Sequence, residues 1–215
     1  MEEISHRREG FSVRHLGTVP LKTDRLALGR LTAADAEEMF HNWAGDEAVA
    51  RFMRWPAHKT SLETFQLLSA WECLYSSASY YNWGIRRRTD GALLGSIGFV
   101  LGEEQSPEAW RAPGLDFSAG VWEPGYCLGR AFWGQGYAAE ALAAVRDFWF
   151  DEVGGAWLAC CHAEENPASG RVMEKAGWRF DHAATCHKAD GTPVACRAYY
   201  LKKEERQKNA FEVKQ

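Results

Sequence analysis

Apolar residues recur along the chain at two spacings, and the switches between them lay out the secondary structure. In Leu21–Leu31, the residues Leu26, Leu28 and Leu31 fall among polar ones with the period of a half-buried strand. Thr32, with Asp35 three residues on, approximates a capping box and predicts a helix to about Trp43. A loop is expected from Gly45 to Pro56. A helix is then expected from Ser61 to Tyr75, with Leu62, Phe65, Leu68 and Leu74 as its apolar positions. Residues 80–89 and 92–101 read as strands joined by a two-residue turn at Asp90-Gly91. The polar stretch 102–116 carries two prolines and is long enough to be an active-site lid or a surface insertion. Residues 117–128 read as strand, interrupted at Pro124-Gly125. Between Gln135 and Glu152, Ala138, Ala141, Leu142, Val145, Phe148 and Trp149 form the stripe of an amphipathic helix, which Gly154-Gly155 stops. Trp157–Ala163 is a nearly unbroken apolar run, as in a strand covered on both faces. Asn166 caps a short helix, with Pro167 in its first turn and Gly177 past its end. Residues 178–188 and 193–201 close the pattern as a hairpin around Asp190-Gly191.

The resulting order is β-α-α-β-β-β-α-β-α-β-β, a mixed α/β sheet containing one central strand–helix–strand unit. With 215 residues there is material for one sizeable core. A single domain is expected over residues 21–201, preceded by a loose arm (1–20) and followed by a charged tail (202–215).

Charge and composition narrow the function classes. The formal net charge is −4, which gives no electrostatic reason to expect nucleic-acid binding. The one basic run in the body, Arg86-Arg87-Arg88, reads as a solvated strand end. The polar start lacks the apolar core of a secretory signal, and no segment approaches the ~18 apolar residues of a membrane span. Six scattered cysteines include no Cys-x-x-Cys pair, so free thiols in a reducing cytoplasm are the simplest account and no metal is expected. Thirteen per cent of the residues are aromatic, suiting a core and pocket of large rings.

The sharpest local signal is Tyr126-Cys127-Leu128-Gly129-Arg130-Ala131-Phe132-Trp133-Gly134-Gln135-Gly136-Tyr137-Ala138, a strand-to-helix junction. Gly134 and Gly136 permit a left-handed backbone and a close approach by a ligand. The helix start adds unpaired N–H groups and the positive dipole end, an arrangement suited to phosphates. A third glycine and a P-loop lysine are both absent, so a ligand-free tight turn stays open at this level.

Two motifs in sequence resemble the GNAT superfamily of acyl-CoA N-acyltransferases, most closely its Rim-type branch of ribosomal-protein N-terminal acetyltransferases. They are Gly125-Tyr126…Trp133-Gly134-Gln135-Gly136-Tyr137-Ala138…Glu140-Ala141-Leu142 and, one strand later, Asn166…Ser169…Arg171-Val172…Glu174-Lys175…Gly177-Trp178. The likeness spans about Leu21 to Leu201. It implies a central sheet of about seven strands, splayed between the fourth and fifth, with about four flanking helices. It also implies acetyl-CoA as co-substrate and an amine acceptor, either a protein N-terminus or a small molecule. It leaves a homodimer open.

The resemblance assigns roles. The amides from Trp133 through Gly134, Gln135, Gly136 and Tyr137 to Ala138 would hold the pyrophosphate. The family's Gln/Arg-x-x-Gly-x-Gly/Ala motif puts Ala131 where Gln or Arg is usual, with Arg130 next to it as a substitute. Tyr126, Cys127 and Leu128 would pair with the pantetheine arm and offer an N–H to the thioester oxygen. Asn166 would bond pantetheine or cap its helix. Arg171 would approach the 3′-phosphate or stay in solvent, and Glu140 would support the helix start.

The chemistry needs an amine to lose a proton and a thiolate to leave, with no covalent enzyme intermediate. Glu123 is the expected general base and Ser169 the expected proton donor to the thiolate, because Met173 stands where other members carry a tyrosine. Cys127 reads as packing and His162 as structural. Trp43, Trp55, Tyr80, Tyr81 and Trp110 are candidate walls of the acceptor side. A non-catalytic coenzyme-binding module is the alternative.

Overall fold

The computed structural model describes residues 13–206. Strands β1 (Leu21–Lys22), β2 (Leu26–Gly29), β3 (Tyr81–Arg87), β4 (Leu93–Leu101) and β5 (Trp122–Leu128) pair in sequence order as one antiparallel sheet. Strands β6 (Trp157–Ala163), β7 (Arg179–His187) and β8 (Pro193–Lys202) form a second sheet, ordered β6-β8-β7. The helices are α1 (Ala36–Met39), α2 (Glu47–Ala50), α3 (Ser61–Leu74), α4 (Tyr137–Phe148) and α5 (Pro167–Lys175).

This is the expected mixed α/β plan. The splay expected between the fourth and fifth of seven strands lies between β5 and β6, which sit in separate sheets. The described residues hold eight strands because the first one folds back on itself. The Thr23 hydroxyl accepts from the Leu26 amide (3.0 Å) and the Thr23 amide donates to the Leu26 carbonyl (2.9 Å), so Leu21 pairs with Leu28. A fifth helix, α2, occupies part of the expected 45–56 loop, capped by the Asp46 carboxylate on the Ala48 amide. The Thr32–Asp35 capping box forms, although the helix behind it tightens at residues 33–35 and widens at residues 40–44.

Helix α4 carries the main core. Ala141, Leu142, Val145 and Phe148 bury against Leu26, Trp83, Ile97 and Leu158, and the stripe runs on through Trp149 and Val153. On the opposite face, Met39, Trp43 and Leu68 pack with Leu31, Leu93 and Cys127. Helix α3 departs from its apolar pattern: Leu62, Phe65 and Leu74 are all exposed, and only Thr64 and Leu68 are buried. Its start is fixed by the Thr60 hydroxyl accepting from the Glu63 amide rather than by an apolar face.

Two expectations are corrected. Residues 13–20 are docked, not loose: the Tyr81 hydroxyl meets His15 Nδ1 and the Leu16 amide (3.0 and 3.1 Å), and buried Thr18 donates to the Tyr80 carbonyl. The rest of the expected arm, residues 1–12, lies outside the described residues, as do 207–215 of the tail. The 102–116 stretch is exposed over residues 103–108 and anchored further on, with the Arg111 and Ala112 amides donating to Asp181 and the Trp110 ring set edge-on to Trp157. The turn at Asp90-Gly91 is longer than two residues, because the ladder closes between the Arg87 amide and the Ala92 carbonyl.

Candidate functional site

The junction of β5 with α4 starts from strand pairing. Registers run Leu128 with Gly95, Tyr126 with Ile97 and Pro124 with Phe99. The Gly129 amide donates to the Leu94 carbonyl and the Gly102 amide to the Val121 carbonyl. Antiparallel ladders alternate, so Glu123, Gly125 and Cys127 make the bonds to β4, while Pro124, Tyr126 and Leu128 direct their main-chain groups away from it. Pro124 therefore costs the ladder no hydrogen bond, and the expected interruption does not occur. The Cys160 thiol donates to the Pro124 carbonyl (3.4 Å), which marks the outward side as the side of β6. Tyr126 and Leu128 thus present N–H groups into the splay. Cys127 does not: its amide is turned to β4, and its buried thiol contacts Ser96 in the α1–α3 core.

After Leu128 the chain makes one tight turn at residues 130–132 and then two left-handed glycines, Gly134 (φ 74°) and Gly136 (φ 81°). No heavy atom lies within 4 Å of where a Gly134 Cβ would stand, so a ligand can approach the backbone there. Trp133 spans the turn with its indole N–H on the Leu128 carbonyl (2.7 Å), and the Gln135 side chain donates to the Ala131 carbonyl (2.9 Å). Gly136 caps α4 with no side-chain partner, which leaves the amides at the helix start available. Tyr137 is buried and Ala138 packs on the core. Arg130 is exposed and its Nε is paired with Asp46.

Glu123 stands at the other end of β5. It is 9% exposed, its carboxylate receives the Cys161 thiol (3.6 Å), and burial pushes its pKa up to about 7. Space for the carboxylate comes from Gly102, where a Cβ would lie 2.3 Å from Glu123 Oε1. Beyond it, Arg54 pairs with Glu103 (2.9 Å), Glu103 with His187 (3.0 Å), and the Ala189 amide donates to the Arg54 carbonyl (2.9 Å). Partial burial works to raise Glu103, yet the His187 hydrogen bonds and the Arg54 charge hold its carboxyl below the ordinary value. Two loops and the end of β7, distant in sequence, thus converge beside Glu123.

Helix α5 meets β5 through side chains. The Asn166 carboxamide accepts from the Ser169 amide (3.3 Å), as expected of a cap. The Ser169 hydroxyl bonds the Tyr126 hydroxyl (2.9 Å), which also donates to the Ser169 carbonyl (3.2 Å). Burial drives the Tyr126 phenol well above its ordinary pKa, so it stays protonated. A tyrosine hydroxyl therefore stands beside Ser169 after all, supplied by the strand, while Met173 is core. Arg171 is exposed on the same helix. Cys161 turns toward Glu123, so by strand alternation His162 points to the other face, where it bonds the Ala163 carbonyl and abuts Gly170. Of the candidate walls, Trp43, Tyr81 and Trp110 are buried in cores, and Trp55 is half-buried beside Arg54. All six cysteines are free thiols.

A family model for the GNAT acetyltransferase domain matches residues 25–179. The chain belongs to the GNAT acetyltransferase family. Acetyl-CoA-dependent N-acetyl transfer is the activity of that family, and this chain is such an acetyltransferase. It is 27% identical over 184 residues to the uncharacterized N-acetyltransferase YoaA of Bacillus subtilis, covering 85% of this chain and 96% of the relative. Among solved structures, a GNAT acetyltransferase from Bacillus anthracis superposes with a TM-score of 0.69 at 20% identity, over 86% of this chain and 99% of that one. A Vibrio cholerae structure provisionally assigned as a ribosomal-protein-serine acetyltransferase gives 0.69 at 23% identity, over 86% and 97%. The microcin C7 self-immunity acetyltransferase MccE, solved with acetyl-CoA and AMP, gives 0.67 at 14% identity, over 83% and 93%. GNAT acetyltransferases therefore share this fold. Among the described residues no helix is long and apolar enough to cross a membrane.

Proposed function

We propose that the protein acetylates a primary amine by direct attack in a ternary complex, the acceptor being a protein N-terminus or a small amine. One observation carries the reading: an uncrowded glycine turn, with α4 amides available, lies at the end of a strand whose outer edge is open. The diphosphate of acetyl-CoA binds the amides of residues 133–138 and its pantetheine runs along the Tyr126 and Leu128 edge. MccE was solved with acetyl-CoA on the same fold, which supports the assignment.

In this reading Glu123 takes the proton as the amine nitrogen attacks the thioester carbon. An outward N–H of β5 holds the oxyanion. The C–S bond then breaks as the thiolate takes the proton of the Ser169 hydroxyl, itself held by Tyr126; solvent water re-protonates Ser169 and accepts the proton held by Glu123, which restores both groups. Asn166 orders this helix start. The Rim-type motifs and the Vibrio cholerae neighbour favour a protein N-terminal amine over small amines.

A screen of N-terminal peptides, polyamines and aminoglycosides, read by thiol release from acetyl-CoA, tests the proposal. One acceptor class is expected to stand out. Coenzyme binding with no thiol release on any amine would contradict catalysis by this site.

A further inference from the structure

At the glycine turn, position 131 carries no side-chain donor where the family motif implies Gln or Arg. Residue 131 is alanine, and the adjacent Arg130 is held by Asp46. The fold delivers a different guanidinium to the same turn. Arg25 sits in the fold-back between β1 and β2, which the Thr23–Leu26 hydrogen bonds make tight. Its Nε donates to Glu140 Oε2 (2.6 Å), its main-chain N–H donates to Glu140 Oε1 (3.0 Å), and its ring partner is Tyr137, 4.6 Å below the guanidinium carbon.

One edge of the guanidinium is therefore locked onto a buried carboxylate at the start of α4. The other edge lies along the turn. One terminal nitrogen donates to the Gln135 carbonyl (3.0 Å), and the second stands 3.4 Å from where a Gly136 Cβ would be. That second nitrogen has no hydrogen-bond partner among the described residues. It belongs to a side chain 45% exposed, while Glu140 behind it is 2% exposed. A fixed donor beside two left-handed glycines and open amides completes an anion cradle at little entropic cost, because Glu140 has already immobilised the side chain.

We propose that Arg25 binds the diphosphate of the coenzyme, in place of the Gln or Arg side chain that the family motif would put at position 131. The inference rests on the acetyl-CoA reading of the turn. It adds a cofactor-site residue from a different sheet edge, 115 positions from Glu140 in sequence. Glu140 offsets the charge of Arg25 from behind, so the contribution is a directed, charge-assisted hydrogen bond rather than net charge.

The test measures dissociation constants of CoA, dephospho-CoA and pantetheine for wild type, Arg25→Gln, Arg25→Lys and the double variant Arg25→Gln/Glu140→Gln. Thermal unfolding of each variant checks that it is folded. Both variants lacking Arg25 charge are expected to bind CoA and dephospho-CoA about tenfold more weakly, with pantetheine unchanged and the lysine variant in between. Restoration of wild-type affinity in the double variant would show that Arg25 serves only to neutralise Glu140, and would overturn the proposal. So would unchanged affinity in Arg25→Gln, or weakening for CoA but not dephospho-CoA, which would move the contact to the 3′-phosphate. A wild-type protein that binds neither coenzyme would remove the underlying reading as well.

Discussion

Replacing Glu123 with glutamine bears on both stability and chemistry. Burial raises this carboxyl from 4.5 to about 7. At 1.36 kcal/mol per pKa unit, ionising Glu123 in the folded protein costs about 3 kcal/mol more than in the unfolded chain. The sign follows from linkage. Below the unfolded pKa both states are protonated and nothing is lost. Between the two values the folded state holds the extra proton, so stability falls as pH rises, and the full penalty is present above the folded value. Urea unfolding of wild type and Glu123→Gln at pH 5 and pH 8 isolates the effect, because other groups cancel in the difference. The glutamine variant is expected to gain about 2.5 kcal/mol on wild type between the two pH values, because at pH 5 the unfolded carboxyl is already partly ionised. In kinetics, wild-type kcat/KM should rise with pH through an apparent pKa near 7, and the variant should lose that limb together with about 10²–10⁴ in rate. Equal pH dependence of stability in the two proteins would refute the buried-carboxylate argument. An unaltered rate profile in a folded variant would refute the base assignment.

Two other substitutions probe the same geometry. Gly102→Ala puts a Cβ 2.3 Å from Glu123 Oε1, on a backbone with ordinary φ. It should lower kcat about 10²-fold by displacing the carboxylate, and steady-state kinetics beside an unfolding curve will show whether the loss exceeds the stability change. Tyr126→Phe removes the 2.9 Å partner of the Ser169 hydroxyl. It should cost about 1 kcal/mol in stability and slow transfer from acetyl-CoA more than from an acetyl thioester with a more acidic thiol. Equal slowing of both donors would separate the Tyr126–Ser169 pair from the departing sulfur.

The parts of this account legible in sequence are local. The Thr32–Asp35 box, the Asn166 cap and the stripe on α4 each depend on residues within a few positions of one another. The Gly134–Gly136 turn is equally local, and so is its meaning for backbone donors. Other features are set by tertiary placement. Leu62, Phe65 and Leu74 follow a helical apolar spacing, yet they stay exposed among the described residues, so periodicity overstates the face α3 buries. The hydroxyl of Tyr126 reaches Ser169 across 43 positions, which no spacing rule anticipates. Gly102 looked like the start of a loop, but its lack of a side chain makes room for Glu123. The Arg54–Glu103–His187 cluster likewise joins two loops and a strand end that carry no shared motif.

The most direct test is a crystal structure of the protein with CoA. Phosphate oxygens are expected within about 3 Å of main-chain nitrogens at Gly134–Ala138, with pantetheine lying along the Tyr126 and Leu128 edge of β5. Density for the coenzyme elsewhere, with this turn and the gap between β5 and β6 empty, would contradict the account.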